Sequence, residues 1–259
     1  MLVAERHRKI VEVVNEKSSV RVTELSKIFQ VTEETIRRDL EKLEIENLLR
    51  RSHGGAVSLQ DEQSEVSYAE REITNSMEKK AIAIEAVKLI QPGDQIVLDA
   101  STTAWYMAKE LPDLPLTVIT NSIKVAVELS KKESVKVIST GGMLLSKSLS
   151  YVGPLAERSL SMYHVNKAFI SCKGVHIEGG LSESNEWQAL LKRQMMAISD
   201  QTILMADSTK FGVRTFAHIT DIQEVGCVLT DFKIDESYSK ALEEKGVEVR
   251  TVMVQEKTK

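Results

Sequence analysis

Apolar residues recur at helical spacing near the amino end, where Ile10, Val13 and Val14 share one side of a wheel and predict an amphipathic helix over 3–16. Lys17 to Ser19 interrupt it. Leu25, Ile28 and Phe29 then repeat at the same period behind Thr23, which predicts a short second helix with Thr23 as its N-cap. Only Gln30 and Val31 precede Thr32, another N-cap, and the following Glu33 and Glu34 suit the positive end of a third helix running to Glu46. Leu48 to Val57 reads as two short extended stretches around a basic, glycine-containing turn, a β-wing. Residues 58–75 are polar and lack a clear apolar period, so a linker or loosely packed connecting helix is expected between a first domain over 1–57 and a second over 76–259.

From Met77 the period alternates. Helices are predicted over 77–90, 103–110, 122–131, 184–199 and 235–245, with strands over 95–100, 116–120, 135–139, 167–172, 202–206, 227–230 and 247–253. Such alternation implies a parallel sheet. The expected fold is therefore α/β: an N-terminal winged helix-turn-helix followed by a Rossmann-like α/β domain.

On the third helix Ile36, Leu40 and Leu43 define the inner side, which places Arg38 nearly opposite, Glu34 and Lys42 beside it, and Thr35 and Arg37 on the flanks. In a winged helix-turn-helix such a helix enters the major groove and the wing meets the neighbouring backbone. Thr23, Thr32, Glu34, Thr35, Arg37, Arg38, Lys42, Arg50, Arg51 and His53 are thus the candidate DNA contacts. An arginine fork meets two guanine acceptors, whereas Arg50, Arg51 and His53 suit phosphates. The structural alternative for an arginine pair on a helix is a solvated face.

Charge refines this reading. The chain of 259 residues has a net charge of −4, and residues 1–57 carry 11 Lys and Arg against 10 Asp and Glu. Attraction to a polyanion must come from placement of charge and not from its total. The two cysteines, Cys172 and Cys227, are too few and too far apart for a disulfide framework or a zinc site. Neither an apolar run long enough to span a bilayer nor a leader pattern is present, so a cytoplasmic protein is expected. No cofactor and no metal are expected.

In an open parallel sheet, ligands bind beyond the carboxyl ends of the strands. Three loops there combine small and hydroxylated residues: Asp99 with Ser101, Thr102 and Thr103; Thr120, Asn121 and Ser122; and Gly141 with Gly142. Hydroxyls, loop amides and a helix amino end suit an anionic phosphate, and glycine lets backbone approach a ligand, although such residues also serve as simple caps. Further candidates are Ser150, Tyr151, Gly153, Lys173, Glu183, Glu186, Trp187, Lys192, Asp207 and Lys210. Lys192 and Lys210 could bring positive charge to a phosphate, and Trp187 could pack on a sugar face. Against these stand a capped turn at Asp207 and Lys210, a solvated Lys192 and a core role for Trp105 and Trp187.

Residues 32–56, TEETIRRDLEKLEIENLLRRSHGGA, resemble the amino-terminal DNA-binding region of the DeoR family of bacterial transcriptional regulators. LDASTT, VITNS, STGG, KSLSYVGPLAE, GGLSESNE and LMADSTKFG are similar to that family's sensor domain, whose fold is shared with sugar-phosphate isomerases. The resemblance implies a phosphorylated sugar at the loops named above. It also implies a repressor of a sugar-catabolism operon, released from operator DNA when that effector binds. Ala100 stands where a glycine is common, and Lys173 where many relatives have an acid, which changes the charge facing the ligand. Repeated half-sites read by helix-turn-helix dimers lead to an expected homo-oligomer, dimer or tetramer. The competing class is a sugar-phosphate isomerase with an appended DNA-binding domain, using Asp99, Glu183 or Glu186 as general base. An activator would use the same residues.

Overall fold

The computed structural model describes residues 3–17, 19–46, 48–52, 54–57 and 66–254. Backbone contacts divide the chain into two units, 1–65 and 66–259.

The first unit contains helix α1 (Val3–Lys17), strand β1 (Ser19–Arg21), helices α2 (Val22–Phe29) and α3 (Glu33–Ile45), and strands β2 (Arg50–Ser52) and β3 (Gly55–Val57). Its core is the set the helical period selects: Ile10, Val14, Leu25, Ile36, Leu40 and Leu43, closed by Val20, Val22, Leu49 and Ala56. Gln30, left-handed at φ 53°, ends α2, and the Thr32 hydroxyl accepts the Thr35 amide at 3.2 Å to start α3, which makes the tight connection expected. Thr23 does not cap α2. The helix begins two residues earlier than such a cap implies, at Val22, behind Arg21 and without a side-chain cap.

The wing is a three-stranded sheet in the order β1–β3–β2, because Val20 and its neighbours pair with the outgoing wing strand. A side chain at position 55 would stand 2.2 Å from the Val20 carbonyl oxygen, so only glycine allows this closure. Sequence periodicity missed a buried charge on the inner face of α3. Asp39 receives both arms of the Arg6 guanidinium, at 2.7 and 3.1 Å, and the His7 Nε2 lies 2.9 Å away. Burial opposes ionisation of Asp39, but the bonds from Arg6 and His7 prevail and hold its carboxyl below the usual range.

The second unit opens with helices α4 (Tyr68–Ile73) and α5 (Ser76–Val87). Residues 66–75 group with this unit and hold a connecting helix, one of the two forms expected of this segment: Tyr68 is buried and its amide donates to Lys147 O at 2.7 Å. Asn75, left-handed at φ 50°, separates α4 from α5. The part of the expected linker over 58–65 lies outside the described residues.

Next come β4 (Gln95–Leu98), α6 (Thr102–Glu110), β5 (Leu116–Thr120), α7 (Ile123–Leu129) and β6 (Val135–Ser139). After a hairpin of β7 (Met143–Leu145) and β8 (Ser150–Val152) follow α8 (Pro154–Leu160), β9 (Val165–Ile170), β10 (Gly174–His176) and β11 (Gly180–Glu183). The unit ends with α9 (Glu186–Ala197), β12 (Ser199–Met205), β13 (Ala217–Thr220), β14 (Cys227–Asp231), α10 (Glu236–Glu244) and β15 (Glu248–Val252). Seven strands form one parallel sheet in the order β15–β14–β12–β9–β4–β5–β6.

Val97 and Leu204 face one apolar layer, while Ile96, Leu98, Ile203 and Met205 face another, so helices cover both faces of the sheet. The order reverses between β4 and β9, and in open α/β sheets such a switch point, beyond the carboxyl edge, is where ligands bind. The β7–β8 hairpin and the small antiparallel sheet β10–β11–β13 escaped the sequence reading. Their strands span three or four residues, too short for a period to register. Cys172 and Cys227 are both buried free thiols. Among the described residues no helix is long and apolar enough to cross a membrane.

Candidate functional site

In the first unit, packing of Ile36, Leu40 and Leu43 turns Glu34, Arg37, Arg38 and Lys42 outward, as the wheel predicts. Arg37 reaches Glu33 at 2.8 Å and Arg38 reaches Glu34 at 3.4 Å, both one turn back on the same helix. Such exposed pairs are worth about 0.3–0.5 kcal/mol, so a phosphate or a base edge displaces the glutamate at little cost. The Thr32 hydroxyl is engaged with Thr35, its amide and its hydroxyl alike, while Thr23 is exposed on α2.

On the wing, Arg51 is exposed but fastened to the reading helix: its amide donates to Glu44 at 2.8 Å and its side chain meets the same carboxylate at 3.1 Å. A cleft of about 430 Å³ between wing and helix is lined by Val22, Arg37, Leu40, Glu44, Arg51, Gly54 and Gly55. Arg50 lies on β2, and His53 lies outside the described residues.

In the second unit the strand-end loops converge on a buried charge cluster. Lys192 Nζ lies 2.9 Å from Asp99 Oδ2 and 2.7 Å from Glu183 Oε1, and donates a further bond to the Ser171 carbonyl. Asp99 also accepts the amides of Ser101 at 3.0 Å and Ser171 at 2.8 Å, which ties the ends of β4 and β9 together across the switch point. Burial works against the ammonium, but Asp99 and Glu183 overcome it and hold the Lys192 proton more tightly than in water. All three ammonium hydrogens are committed and two carboxylates neutralise one cation. Lys192 is thus neither a solvated lysine nor a spare charge for a phosphate; it is the pin of the crevice.

The neighbouring loops are braced by their own hydroxyls. Ser101 caps α6 through the Ala104 amide at 3.0 Å, and Ser122 caps α7 through Val125 at 3.2 Å. Thr120 accepts the Ser122 amide at 3.0 Å. Asn121 Nδ2 donates to Tyr151 O at 2.9 Å, and the Tyr151 amide returns a bond to Asn121 O at 2.8 Å. Gln188, which the sequence reading passed over, places its amide on Ser150 at 2.6 Å and on Ser148 at 3.1 Å. Thr102 and Thr103 open α6, where the first amides have no partner within the helix and can meet an anion.

Some candidates serve the fold instead. A side chain at Gly142 would stand 2.7 Å from the Val152 oxygen, so its close approach is to the chain itself. Gly141 and Gly153 take positive φ angles in the same two loops. Asp207 caps its 3₁₀ turn through the Thr209 amide at 3.2 Å and receives Asn75 Nδ2 at 3.1 Å. Glu186 and Trp187 are exposed at the start of α9, so Trp187 is not a core residue. Lys173 and Lys210 are half-buried, and Lys210 is close enough to Cys172 to act on its thiol together with Glu183, Lys192 and Asp99. Burial, with Glu183 adding to it, pushes that thiol up to about 12.

A helix-turn-helix unit with an arginine-bearing outer helix, joined in one chain to a doubly wound sheet with a buried Asp99–Lys192–Glu183 cluster and hydroxyl-bearing loops at its switch point, defines a DNA-binding regulator with a sensor domain. Comparison with known proteins agrees. The family model for the DeoR-like helix-turn-helix domain matches residues 6–62 and that for the DeoR C-terminal sensor domain matches residues 74–232. The chain is 66% identical over 97% of its length, and 98% of the relative's, to the uncharacterized HTH-type transcriptional regulator YulB of Bacillus subtilis. It is 37% identical to the L-fucose operon activator of Haemophilus influenzae, covering 92% and 96% of the two chains. It is 35% identical to the HTH-type transcriptional repressor GlcR of Bacillus subtilis, covering 95% of each. The chain belongs to the DeoR family of transcriptional regulators. Among solved structures, ribose 5-phosphate isomerase A of Methanocaldococcus jannaschii aligns with 53% of this chain and 54% of its own at 19% identity and a TM-score of 0.40.

Proposed function

We propose that this DNA-binding regulator is a cytoplasmic homo-oligomeric repressor of a sugar-catabolism operon, and that a phosphorylated sugar in the sensor crevice weakens its hold on the operator. The observation that carries the reading is the Asp99–Lys192–Glu183 pin, which draws β4, β9, β11 and α9 together beneath a rim of hydroxyls and helix-start amides. Arg37 and Arg38 read bases, and Lys42, Arg50, Arg51 and His53 meet phosphates, with Thr23, Thr32, Glu34 and Thr35 beside them. Lys173, Lys210 and the start of α6 supply the field for the sugar's phosphate, while Thr120, Asn121, Ser150 and Tyr151 face its hydroxyls. A thermal-shift screen against phosphorylated sugars tests this, since a ligand at 100 times its Kd adds about 2.7 kcal/mol. A sensor that melts at the same temperature with every such compound refutes the effector class.

Activation is the second reading, favoured by the name of the Haemophilus influenzae relative. A promoter reporter in a deletion strain separates the two: expression rises when a repressor is lost and falls when an activator is lost.

A further inference from the structure

Tyr68 lies in the segment through which the chain enters the second unit, and no motif draws attention to it. It is only 3% exposed, yet its hydroxyl is buried with no hydrogen-bond partner among the described residues. A buried phenol without a partner forfeits roughly 1–3 kcal/mol, so a native fold retains one where something else satisfies it.

Its surroundings place it at the crevice. The Tyr68 amide is fastened to Lys147 O at 2.7 Å, one residue before Ser148 and three before Ser150, the two hydroxyls that Gln188 holds. The ring lies 5.3 Å from Lys124 Nζ, in the first turn of α7 directly after Thr120, Asn121 and Ser122, and 5.6 Å from the Arg71 guanidinium. Asp99, at the end of β4, is close enough to act on the phenol, which burial already makes a reluctant acid. A second orphan stands in the same loops. Asn121 is 1% exposed; its Nδ2 is spent on Tyr151 O, which fixes the orientation of the amide, and its Oδ1 accepts nothing among the described residues.

The two orphan atoms ask for different things. Asn121 Oδ1 only accepts and requires a hydroxyl hydrogen, which a phosphate dianion cannot give; the Tyr68 hydroxyl donates to a hydroxyl or to a phosphate oxygen. We infer that Tyr68 is a direct contact of the ligand, its hydroxyl bonding the same polyhydroxylated phosphate whose hydroxyl donates to Asn121, so that the ligand grips the segment leading in from the DNA-binding unit. This rests on the sugar-phosphate reading of the crevice. It adds to that reading a residue outside the strand-end loops and a path from ligand to connecting chain.

The test is Tyr68→Phe in the full-length protein, with ribose 5-phosphate, glucose 6-phosphate, fructose 6-phosphate and inorganic phosphate as probes. Phenylalanine fills the same space, so the variant is expected to fold, which circular dichroism checks. The expected result is that the sugar phosphate binding the wild type most tightly binds the variant about tenfold more weakly by calorimetry, the worth of one hydrogen bond. About tenfold more of it is then needed to release a promoter fragment retarded in a gel. Equal affinity in the two proteins overturns the Tyr68 contact and leaves the crevice reading standing. Wild-type protein that binds none of the sugar phosphates overturns both.

Discussion

Lys192→Met is the perturbation that most sharply tests the architecture of the crevice. The substitution keeps most of the side-chain volume and removes the one cation shared by Asp99 and Glu183, whose bonded oxygens lie at most 5.6 Å apart because both touch Nζ. At an effective dielectric of about 20, each contact to Nζ is worth about 6 kcal/mol and the repulsion left between the two carboxylates is at least about 3 kcal/mol. Desolvation offsets much of the attraction, and removing one partner of a buried pair costs about 3–5 kcal/mol in measured cases. For a unit the size of residues 66–259, about 2–4 °C per kcal/mol predicts a fall of about 10 °C in the melting temperature of the sensor transition at neutral pH.

Without Lys192 two buried carboxylates face one another with no cation between them. Asp99 keeps the Ser101 and Ser171 amides, so Glu183 is the less compensated of the two and Lys192→Met with Glu183→Gln recovers most of the loss. Differential scanning calorimetry reads all three proteins. A single variant within about 2 °C of wild type, or a double variant no better than the single, refutes the reasoning.

Arg38→Ala is expected to weaken specific operator binding by about 1–3 kcal/mol, with the sensor's ligand-induced thermal shift intact; anisotropy showing unchanged operator affinity removes Arg38 from the interface. Arg6→Ala strands Asp39 beneath the reading helix and is expected to lower the stability of the first unit by a few kcal/mol and DNA affinity with it, though Arg6 faces the core; a melting temperature equal to wild type contradicts this. Lys79, buried with its ammonium on the Arg71 and Thr74 carbonyls, is lowered from 10.5 to about 8 by burial, which outweighs Asp207. The unfolded chain holds that proton to higher pH, so the stability advantage of wild type over Lys79→Met grows between about pH 8 and pH 10; a flat difference refutes it. Cys172 and Cys227, raised to about 12 and about 11 mainly by burial, are expected to resist iodoacetamide until denaturant is added, read by mass spectrometry.

The helices of the first unit were legible because Ile36, Leu40 and Leu43 bury one side at helical spacing, and the parallel strands because they are short continuous apolar runs, such as Ile96, Val97 and Leu98, buried on both faces of the sheet. β1, the hairpin at Ser150 and the strand at Gly180 were not, since three or four residues paired across long separations leave no local period. How segment 66–75 is anchored was not legible, because its anchors are single contacts, Tyr68 to Lys147 and Asn75 to Asp207, across gaps of 79 and 132 residues. The crevice-lining residue types were visible at the strand ends, but their division of labour was not. That Lys192 is consumed by two carboxylates, and that Ser101 and Ser122 are caps, depends on geometry brought together from distant sequence.

The central claim is that the arginine-bearing helix holds operator DNA and that a phosphorylated sugar in the crevice loosens it. The direct measurement is fluorescence anisotropy of purified protein on a fragment of its own upstream region, titrated with and without the sugar phosphate that most stabilises the sensor. The account predicts affinity that falls about 5- to 150-fold on saturation, the reach of a coupling of about 1–3 kcal/mol. Operator affinity identical in the presence and absence of a sugar phosphate shown to occupy the sensor contradicts it.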